Sequence, residues 1–464
     1  MSKKRVLLVG PLSEEHAGIE NFGIPPLGVH RIAAYLRDWG HDVDIYDCNI
    51  SLPFDEIYKE KNFDVIGISL LNEPLGQSLQ FIRKLRELYP KAKIIAGGIE
   101  ASLNYQFILD HSPVDAVCLA EGEEVMHLIC NGEFPLGVIE GLVVKNYANP
   151  ITNDKLWDYW NKVDFSKLGY REYWKYTKKI RGGKENHLSE PLVRLVTSSH
   201  CLRNCTYCST RLWHLQACGS KVPVAYLSAE QIDILLTRIK KQLPETKQIY
   251  FVDDNFIVTR RRIYNLVPIL KKHSFHYRVQ TSTNMLTEDI VKNLAEVGTF
   301  HITCGVENAS AYVRDSLNKH QDEQKIEDII RWCVSSKIIP YYLIILFTPK
   351  TRIEDLWTNY TKLNQWITKG AMVSIEPLER IYRGAIDYEN RTYDMEYRLV
   401  DGIRQPFIFL PESSEVRAIM RRFKKEWPEY QKKKAEEKGV EHFYKGQTGK
   451  WMIELLGDIL RDTE

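Results

Sequence analysis

The sequence lacks any apolar run of membrane-spanning length. Its longest, Tyr341 to Phe347, falls far short of the roughly 20 residues a bilayer requires, so no transmembrane helix and no membrane partner are expected. It also lacks an excess of either charge: 63 Lys and Arg stand against 61 Asp and Glu, a formal +2, which removes the electrostatic basis for a nucleic-acid partner. Cysteine is scarce and odd in number, nine in 464 residues, too few for a disulfide scaffold and more in keeping with thiols or metal ligands. The start, Met1 to Val9, is basic and runs straight into a strand-like segment without the apolar stretch and cleavage site of a secretory signal, so a cytoplasmic protein is expected. With 44% hydrophobic and 27% charged residues the chain is ordinary globular material. It is about three times the usual length of one domain, so two or three compact units are expected.

What is present begins with alternation. Arg5 to Val9 reads as a strand ending in Gly10-Pro11, and Leu27 to Trp39 carries apolar residues at helical spacing, closed by Gly40. Further strands are expected at Val43 to Tyr46, Val65 to Leu70, Lys93 to Ile95 and Ala116 to Leu119, with helices over Gln77 to Leu88 and around Tyr105. Strand and helix in alternation imply a parallel, doubly wound sheet. Ligands of such sheets lie beyond the carboxyl ends of the strands. The loops at Gly10-Pro11, Ser69 to Glu73, Gly97-Gly98 and Glu121-Gly122-Glu123 are therefore expected on one rim.

Several pieces of this segment, in order, carry a resemblance: Pro25-Pro26-Leu27-Gly28 leading into AAYL (Ala33 to Leu36), GHDVDIYD from Gly40, DVIGIS from Asp64, AGGIEAS from Ala96 and AEGEE from Ala120. Together they resemble the cobalamin-binding domain found at the front of many radical SAM enzymes, over about the first 130 residues. The resemblance implies cobalamin on the rim, held by Gly10, Pro11, Ser69, Leu71, Asn72, Gly97, Gly98, Glu121, Gly122 and Glu123. Leu71 and Asn72 are the candidates to lie under the ring. The D-x-H-x-x-G motif that gives cobalt an imidazole elsewhere is absent, and His16 and His30 have the wrong surroundings, so no histidine is expected on cobalt. A domain that keeps the fold without the cofactor is the alternative.

Three cysteines stand apart from the six scattered ones: Cys201, Cys205 and Cys208 form C-x3-C-x2-C after the strand-like Val193 to Thr197. Three thiolates on one loop can hold three irons of a four-iron, four-sulfur cluster and leave the fourth open to a chelating ligand. A zinc site is the competing reading. It needs a fourth ligand, for which His200, His214 and Cys218 are near in sequence.

The spacing, with Tyr207 before the last cysteine, is the signature of the radical SAM superfamily, and the chain resembles that family further on. The resemblance implies that Cys201, Cys205 and Cys208 bind a 4Fe–4S cluster, that the open iron takes S-adenosylmethionine (SAM), and that backbone near Tyr207 meets the adenine. It implies that Asp253 or Asp254, after the strand Ile249 to Val252, receives the methionine ammonium, a role that needs a carboxylate. Ser282 and Asn284, within Thr281-Ser282-Thr283-Asn284, take the ribose-facing position, and Glu307 in Gly305-Val306-Glu307-Asn308 helps hold SAM. Thr348-Pro349-Lys350-Thr351 resembles a family loop that is usually Gly-x-Pro-Gly-Glu-Thr but lacks its two glycines and its Glu. For each of these polar residues the competing role is a cap on the next helix.

The expected architecture is α/β: a doubly wound, Rossmann-like cobalamin-binding domain over residues 1–140, an aromatic-rich connector over 141–190, a partial (β/α)6 TIM-like radical SAM barrel over 191–380 and a mostly helical C-terminal region over 381–464. The connector lacks clear periodicity but holds eight aromatics between Trp157 and Tyr176, as interdomain packing would, with Arg181 to Lys184 exposed. Glu379 to Leu410, with Tyr382, Arg383, Tyr388, Tyr393 and Arg404, has the mixed character of a substrate-facing cap, and Val416 to Lys438 reads as a solvated helix with an apolar stripe.

This arrangement resembles the cobalamin-dependent radical SAM C-methyltransferases. The resemblance implies transfer of a methyl from SAM, through methylcobalamin, to an unactivated carbon of a small molecule or of a protein residue, for example in methyl-coenzyme M reductase, with an electron donor such as ferredoxin or flavodoxin. An oxidative cyclase or dehydratase in which cobalamin is not a methyl carrier is the alternative, and a non-catalytic sensor holding the cluster is a third. No side chain is singled out as catalytic. If the triplet carries the cluster, replacing Cys201, Cys205 and Cys208 together by Ala abolishes bound iron, sulfide and SAM cleavage. About four irons per chain surviving in that variant would contradict the assignment.

Overall fold

Short β-branched runs that bury both faces form the strands, and amphipathic segments between them form the covering helices. The computed structural model describes residues 3–12, 25–48, 50, 53–72, 74–119, 121–133, 138–139, 143–144, 151–180, 190–210, 213, 223–383, 385–390, 393–439 and 445–463. His16, Glu73, Ala120, Asn149, the Arg181 to Lys184 loop, His214 and Cys218 lie outside the described residues.

The first sheet contains β1 (Arg5–Val9), β2 (Asp42–Tyr46), β3 (Val65–Ser69), β4 (Lys93–Gly97), β5 (Ala116–Cys118), β6 (Val138–Ile139) and β7 (Val143–Val144). Their order is β2-β1-β3-β4-β5-β7-β6, parallel throughout except the edge pair β6 and β7. The chain leaves β1 toward β2 on one side and returns to β3 on the other, so the crevice of this doubly wound sheet lies at the ends of β1 and β3. The helices Leu27–Asp38 and Leu75–Leu88 cover it, the second beginning two residues before the periodicity predicts.

The second sheet is wholly parallel, in the order β13-β12-β11-β10-β9-β8. Its strands are β8 (Leu192–Leu195), β9 (Gln248–Phe251), β10 (His276–Thr281), β11 (Thr299–Glu307), β12 (Ile339–Phe347) and β13 (Met372–Leu378). Six strands with intervening helices make the partial barrel. β11 runs longer than its sequence pattern predicts and carries Glu307 as its last residue, where the register with β12 shifts between Gly305 and Glu307. Glu307 has φ 72°, a left-handed conformation uncommon for a residue with a side chain, and such bulges re-aim side chains at strand ends.

The connector is more ordered than its sequence suggests, with helices at Asn153–Asn161 and Tyr170–Ile180. It touches both domains: Trp160 donates its indole N–H to the Val196 carbonyl (2.8 Å), and the Tyr173 hydroxyl donates to Asp47 of the first domain. After the barrel comes a two-stranded hairpin that the sequence reading did not foresee, β14 (Met395–Val400) and β15 (Ile403–Phe409), turned by Asp401 (φ 55°) and Gly402 (φ 81°). Two left-handed residues in a two-residue loop make a type I′ turn, for which Asp-Gly is a favoured pair. The hairpin is rooted on the barrel, where Phe409 N–H donates to the Glu379 carbonyl (3.1 Å). Its tip reaches the first domain, where Val400 is buried in that domain's core and Arg83 donates to Asp401 (Nη1 to Oδ1, 3.0 Å). The expected C-terminal helices follow at Ser414–Glu437 and Lys445–Arg461. The first buries Val416, Ile419, Met420 and Phe423, the expected stripe. Among the described residues no helix is long and apolar enough to cross a membrane.

One buried network fixes where the cysteine loop leaves the barrel. Asp253, just past β9, is fully buried and accepts from Thr197 N–H (2.9 Å), Thr197 Oγ1 (3.0 Å) and Ser198 Oγ. Arg262 donates to Thr197 Oγ1 (2.7 Å) and to the Phe256 carbonyl (2.6 Å). Burial raises the Asp253 carboxyl above its ordinary value, opposed by Arg262 and the three donors. Removing one member of a buried, hydrogen-bonded charge network costs roughly 3 to 5 kcal/mol, so Asp253→Ala should lower stability to that degree in denaturant unfolding. Asp254→Ala, next to it but outside the network, should change stability by less than about 0.5 kcal/mol.

Candidate functional site

Two cavities lie at the carboxyl ends of the two sheets. The first, about 280 Å³, opens at the crevice of the first sheet. Its walls come from the ends of β1, β3, β4 and β5 and from the helix Leu27–Asp38, and its far side is closed by Val196, Ser199 and Trp213 from the second domain. Ser69, Gly97, Gly98, Glu121, Gly122 and Glu123 line it, as the sequence predicts. Gly10, Pro11, Leu71 and Asn72 do not. Gly10 donates its N–H to Tyr46 (2.8 Å), and the Pro11 carbonyl faces Cys48 (Sγ 3.8 Å). Leu71 is exposed, and Asn72 turns toward the hairpin: its Nδ2 donates to Glu100 Oε2 (3.1 Å) and its Oδ1 accepts from Arg398 (3.0 Å). Both ends of that amide are engaged by protein.

The first cavity is walled mainly by apolar side chains and glycines, with Arg31, Glu121 and Glu123 as its charged groups. Gly98 has φ 91°, and a Cβ there would lie 2.9 Å from the Leu70 carbonyl oxygen, so a side chain would force the rim apart. A Cβ on Gly67 would meet Leu8 at 2.8 Å, and one on Gly122 would meet Ile32 at 2.7 Å. Both neighbours are wall residues, so side chains at these glycines would displace the wall. The acid pair shares a single cation, and Glu123 Oε2 is buried without a hydrogen-bond partner. Arg31, which the sequence reading missed, donates to Glu123 Oε1 (Nε 2.9 Å) and to Glu121 Oε2 (Nη2 2.9 Å).

The second cavity, about 220 Å³, lies at the ends of β9, β10 and β11 and brings together Cys201, Cys205, Cys208, Tyr207, Asp254, Ser282 and Glu307. The cysteine loop is pinned by backbone: Thr206 N–H donates to the Leu317 carbonyl (3.2 Å), and Asn318 Nδ2 donates to the Asn204 carbonyl (2.7 Å). Burial pushes the Cys201 and Cys208 thiols up from their ordinary values, and iron binding would displace those protons. Among the described residues no three His, Cys, Asp or Glu side chains converge on a point that a single metal ion could occupy.

The carboxylates sort themselves by strand geometry. Asp253 points away from the cavity into its own network, whereas Asp254 opens onto it. Asp254 is exposed at the cavity, where partial desolvation and repulsion from Asp253 push its carboxyl up to about 6. Asn284 also lies off the cavity, its Nδ2 donating weakly to the His320 carbonyl (3.4 Å). The Ser282 hydroxyl is buried with no hydrogen-bond partner, an orphan that a polar ligand would satisfy. Glu307 meets a residue the sequence reading did not include: Lys319 Nζ lies 2.8 Å from Glu307 Oε1 and 3.3 Å from the Tyr207 hydroxyl. Burial opposes the Lys319 charge, but Glu307 and Cys205 hold it above its ordinary value. Burial and the Glu307 charge drive Tyr207 well above its ordinary value, so its hydroxyl stays protonated. Three thiols, an orphan hydroxyl, a free carboxylate and a buried ammonium suit an iron–sulfur cluster with an amino-acid ligand on it.

Comparison with known proteins agrees with this geometry. Residues 21–129 match the B12 binding domain and residues 195–362 match the radical SAM superfamily. The chain is 22% identical over 453 residues to cytidylyl-2-hydroxyethylphosphonate methyltransferase of Streptomyces wedmorensis, covering 80% of this chain and 81% of that protein. It is 20% identical over 440 residues to the anaerobic magnesium-protoporphyrin IX monomethyl ester cyclase of Rubrivivax gelatinosus, covering 87% and 74%. Its fold is similar to that of the radical SAM methyltransferase TsrM from Kitasatospora setae, a structure with cobalamin and a 4Fe–4S cluster bound, at a TM-score of 0.67 and 13% identity over 89% of this chain and 88% of that one. Cobalamin, SAM and a 4Fe–4S cluster are the cofactors typical of proteins with this arrangement. With a B12-binding domain followed by a radical SAM domain, the chain belongs to the cobalamin-dependent radical SAM enzymes.

Proposed function

We propose that the protein is a C-methyltransferase, moving a methyl group from SAM to an unactivated carbon of a protein residue or a small molecule. The observation that carries the reading is the shared wall. The crevice of the cobalamin-type sheet is closed by Val196 and Ser199, which directly precede the cysteine loop, so a ligand in the crevice lies against the domain that carries the cysteines. The methyltransferase among the relatives supports the reaction class.

When bound, the reduced cluster supplies an electron to cleave SAM and cobalamin supplies a carrier for the methyl group. The chain's residues bind, orient and exclude water. Cys201, Cys205 and Cys208 give three thiolates to iron. Asp254 receives the methionine ammonium, the Ser282 hydroxyl meets the ribose, and backbone beside Tyr207 meets the adenine. Gly67, Gly98 and Gly122, where a Cβ would clash, keep the crevice open for cobalamin, while Arg31 bridges Glu121 and Glu123 within its wall. The hairpin and connector hold the domains together, which keeps reacting groups in line and away from solvent. A reductant is a partner this chemistry requires, here a low-potential electron-transfer protein such as ferredoxin or flavodoxin, in the cytoplasm.

Asp254 sets a pH dependence. Its carboxyl titrates at about 6, so above that value it is an anion that attracts the SAM ammonium, and as pH falls through about 6 it becomes neutral. SAM affinity measured by equilibrium dialysis should therefore weaken from pH 7 to pH 5, and Asp254→Asn should be weak at both. Equal pH dependence in the two proteins would contradict this role.

The reaction class is tested with SAM carrying a 13C-labelled methyl, a reductant and candidate substrates. The labelled methyl should appear on a product carbon, with about two SAM consumed per methyl transferred. Similarity to the anaerobic cyclase favours a second reading, oxidative ring closure. It would show as 5′-deoxyadenosine formation with a product that has lost hydrogen and gained no label.

A further inference from the structure

The hairpin after the barrel leaves one strand edge open. The outer edge of β15 is covered, because Ile381 N–H donates to the Phe407 carbonyl (3.0 Å) and Phe409 N–H to the Glu379 carbonyl (3.1 Å). β14 pairs with β15 alone. Among the described residues, no backbone hydrogen bond links Met395, Glu396, Tyr397 or Leu399 to anything outside that pair. Beside this edge lies a groove of about 440 Å³, lined by Met395 through Leu399, by Arg404 and Leu410, and by Arg421 of the helix Ser414–Glu437. Successive residues of a strand point to opposite faces of its sheet. A groove lined by five in a row therefore follows the strand's edge rather than one face.

An open edge is a row of donors and acceptors with which another chain can pair, and proteins usually guard it with charged side chains. Here the guards are engaged elsewhere: Glu396 meets Lys424 (2.9 Å) and Arg398 donates to Asn72 (3.0 Å). What faces solvent is apolar, with Leu399 71% and Tyr397 42% exposed. Two cations border the groove. Arg404 lies over the Tyr397 ring at 4.5 Å and Arg421 is exposed, and neither meets a carboxylate among the described residues. Open backbone, apolar side chains and two guanidiniums without acids complement an extended polypeptide that carries apolar and acidic side chains. We infer that the groove docks an extended acidic segment of a partner protein, which joins β14 as a third strand. Backbone pairing supplies the affinity, while its carboxylates on Arg404 and Arg421 and its apolar side chains on Tyr397 and Leu399 supply the selectivity. The hairpin is rooted on the barrel and its tip is buried in the first domain, so the edge is presented already formed, which lowers the ordering cost of binding.

The test titrates the full chain into a short, end-blocked, fluorescein-labelled peptide of alternating valine and glutamate and reads anisotropy. The peptide should bind saturably, and its counterpart with lysine in place of glutamate should not. A third peptide, N-methylated at every second residue, keeps the charges but loses the amide donors along one edge. It should bind at least about tenfold more weakly. Arg404→Glu/Arg421→Glu should weaken the acidic peptide by about tenfold or more, the worth of one charge-assisted hydrogen bond. Lys432→Glu/Lys433→Glu, which reverses two exposed cations further along the same helix, should leave it unchanged. Amide hydrogen exchange over Met395 to Leu399 should slow when the peptide binds, a response that charge attraction alone would not give. Equal binding of the N-methylated peptide, or equal loss in the two double variants, would reduce the site to general charge attraction and overturn the proposal. So would the absence of saturable binding. A chain that sediments as a dimer and excludes the peptide would overturn it in favour of a second copy on the same edge.

Discussion

A carboxylate with no access to water anchors the site. Burying an isolated Asp ion is prohibitively costly, so Asp253 persists only because Thr197, Ser198 and Arg262 surround it with donors and charge. Those partners are the residues that end β8 and begin the path to Cys201. Their hydrogen bonds tie the first turn of the cysteine loop to the neighbouring strand end. They also decide the fate of the next residue: with Asp253 turned inward, Asp254 points the other way, into the cavity. One network thus places the thiols and the free carboxylate relative to each other.

A second constraint acts between the domains. Parallel sheets gather their loops at one edge, and here both edges contribute to one interdomain wall, with Val196 and Ser199 closing the crevice of the first sheet. Several ties hold that arrangement. The connector reaches Asp47 through Tyr173 and the barrel through Trp160, and the hairpin carries Val400 into the first domain's core. Full burial of a side chain of that size is worth about 1.5 to 3 kcal/mol. The ties surround the site, where a rigid separation between two large ligands matters most.

Much of this was legible in the sequence because it is local. Strand periods, the Gly97-Gly98 rim and the cysteine triplet each occupy a few consecutive residues, and the structure places them as expected. What was missed depends on partners far apart in the chain. Arg31 meets Glu121 and Glu123 some 90 residues away, and Lys319 meets Tyr207 from 112 residues away, so neither residue carries a local mark. Leu71 and Asn72 look like rim residues by position, but Asn72 is claimed by Arg398, 326 residues away. Two features were readable and passed over. Asp253 shares its parity with the buried Ile249 and Phe251, which places it toward the helix layer and leaves Asp254 for the site. Asp401-Gly402 between alternating segments is a hairpin signal within a region read as a helical extension and cap.

The central claim is that the crevice of the first sheet and the cysteine cavity of the second serve one reaction space. Electron paramagnetic resonance of protein loaded with cobalamin and cluster, with cobalt held as cob(II)alamin and the cluster reduced, tests it most directly. Two paramagnets in one space should broaden or split each other's spectra, and the triple alanine variant of Cys201, Cys205 and Cys208 should restore the simple cob(II)alamin spectrum. Two unperturbed, independent spectra in the fully loaded protein would contradict the account.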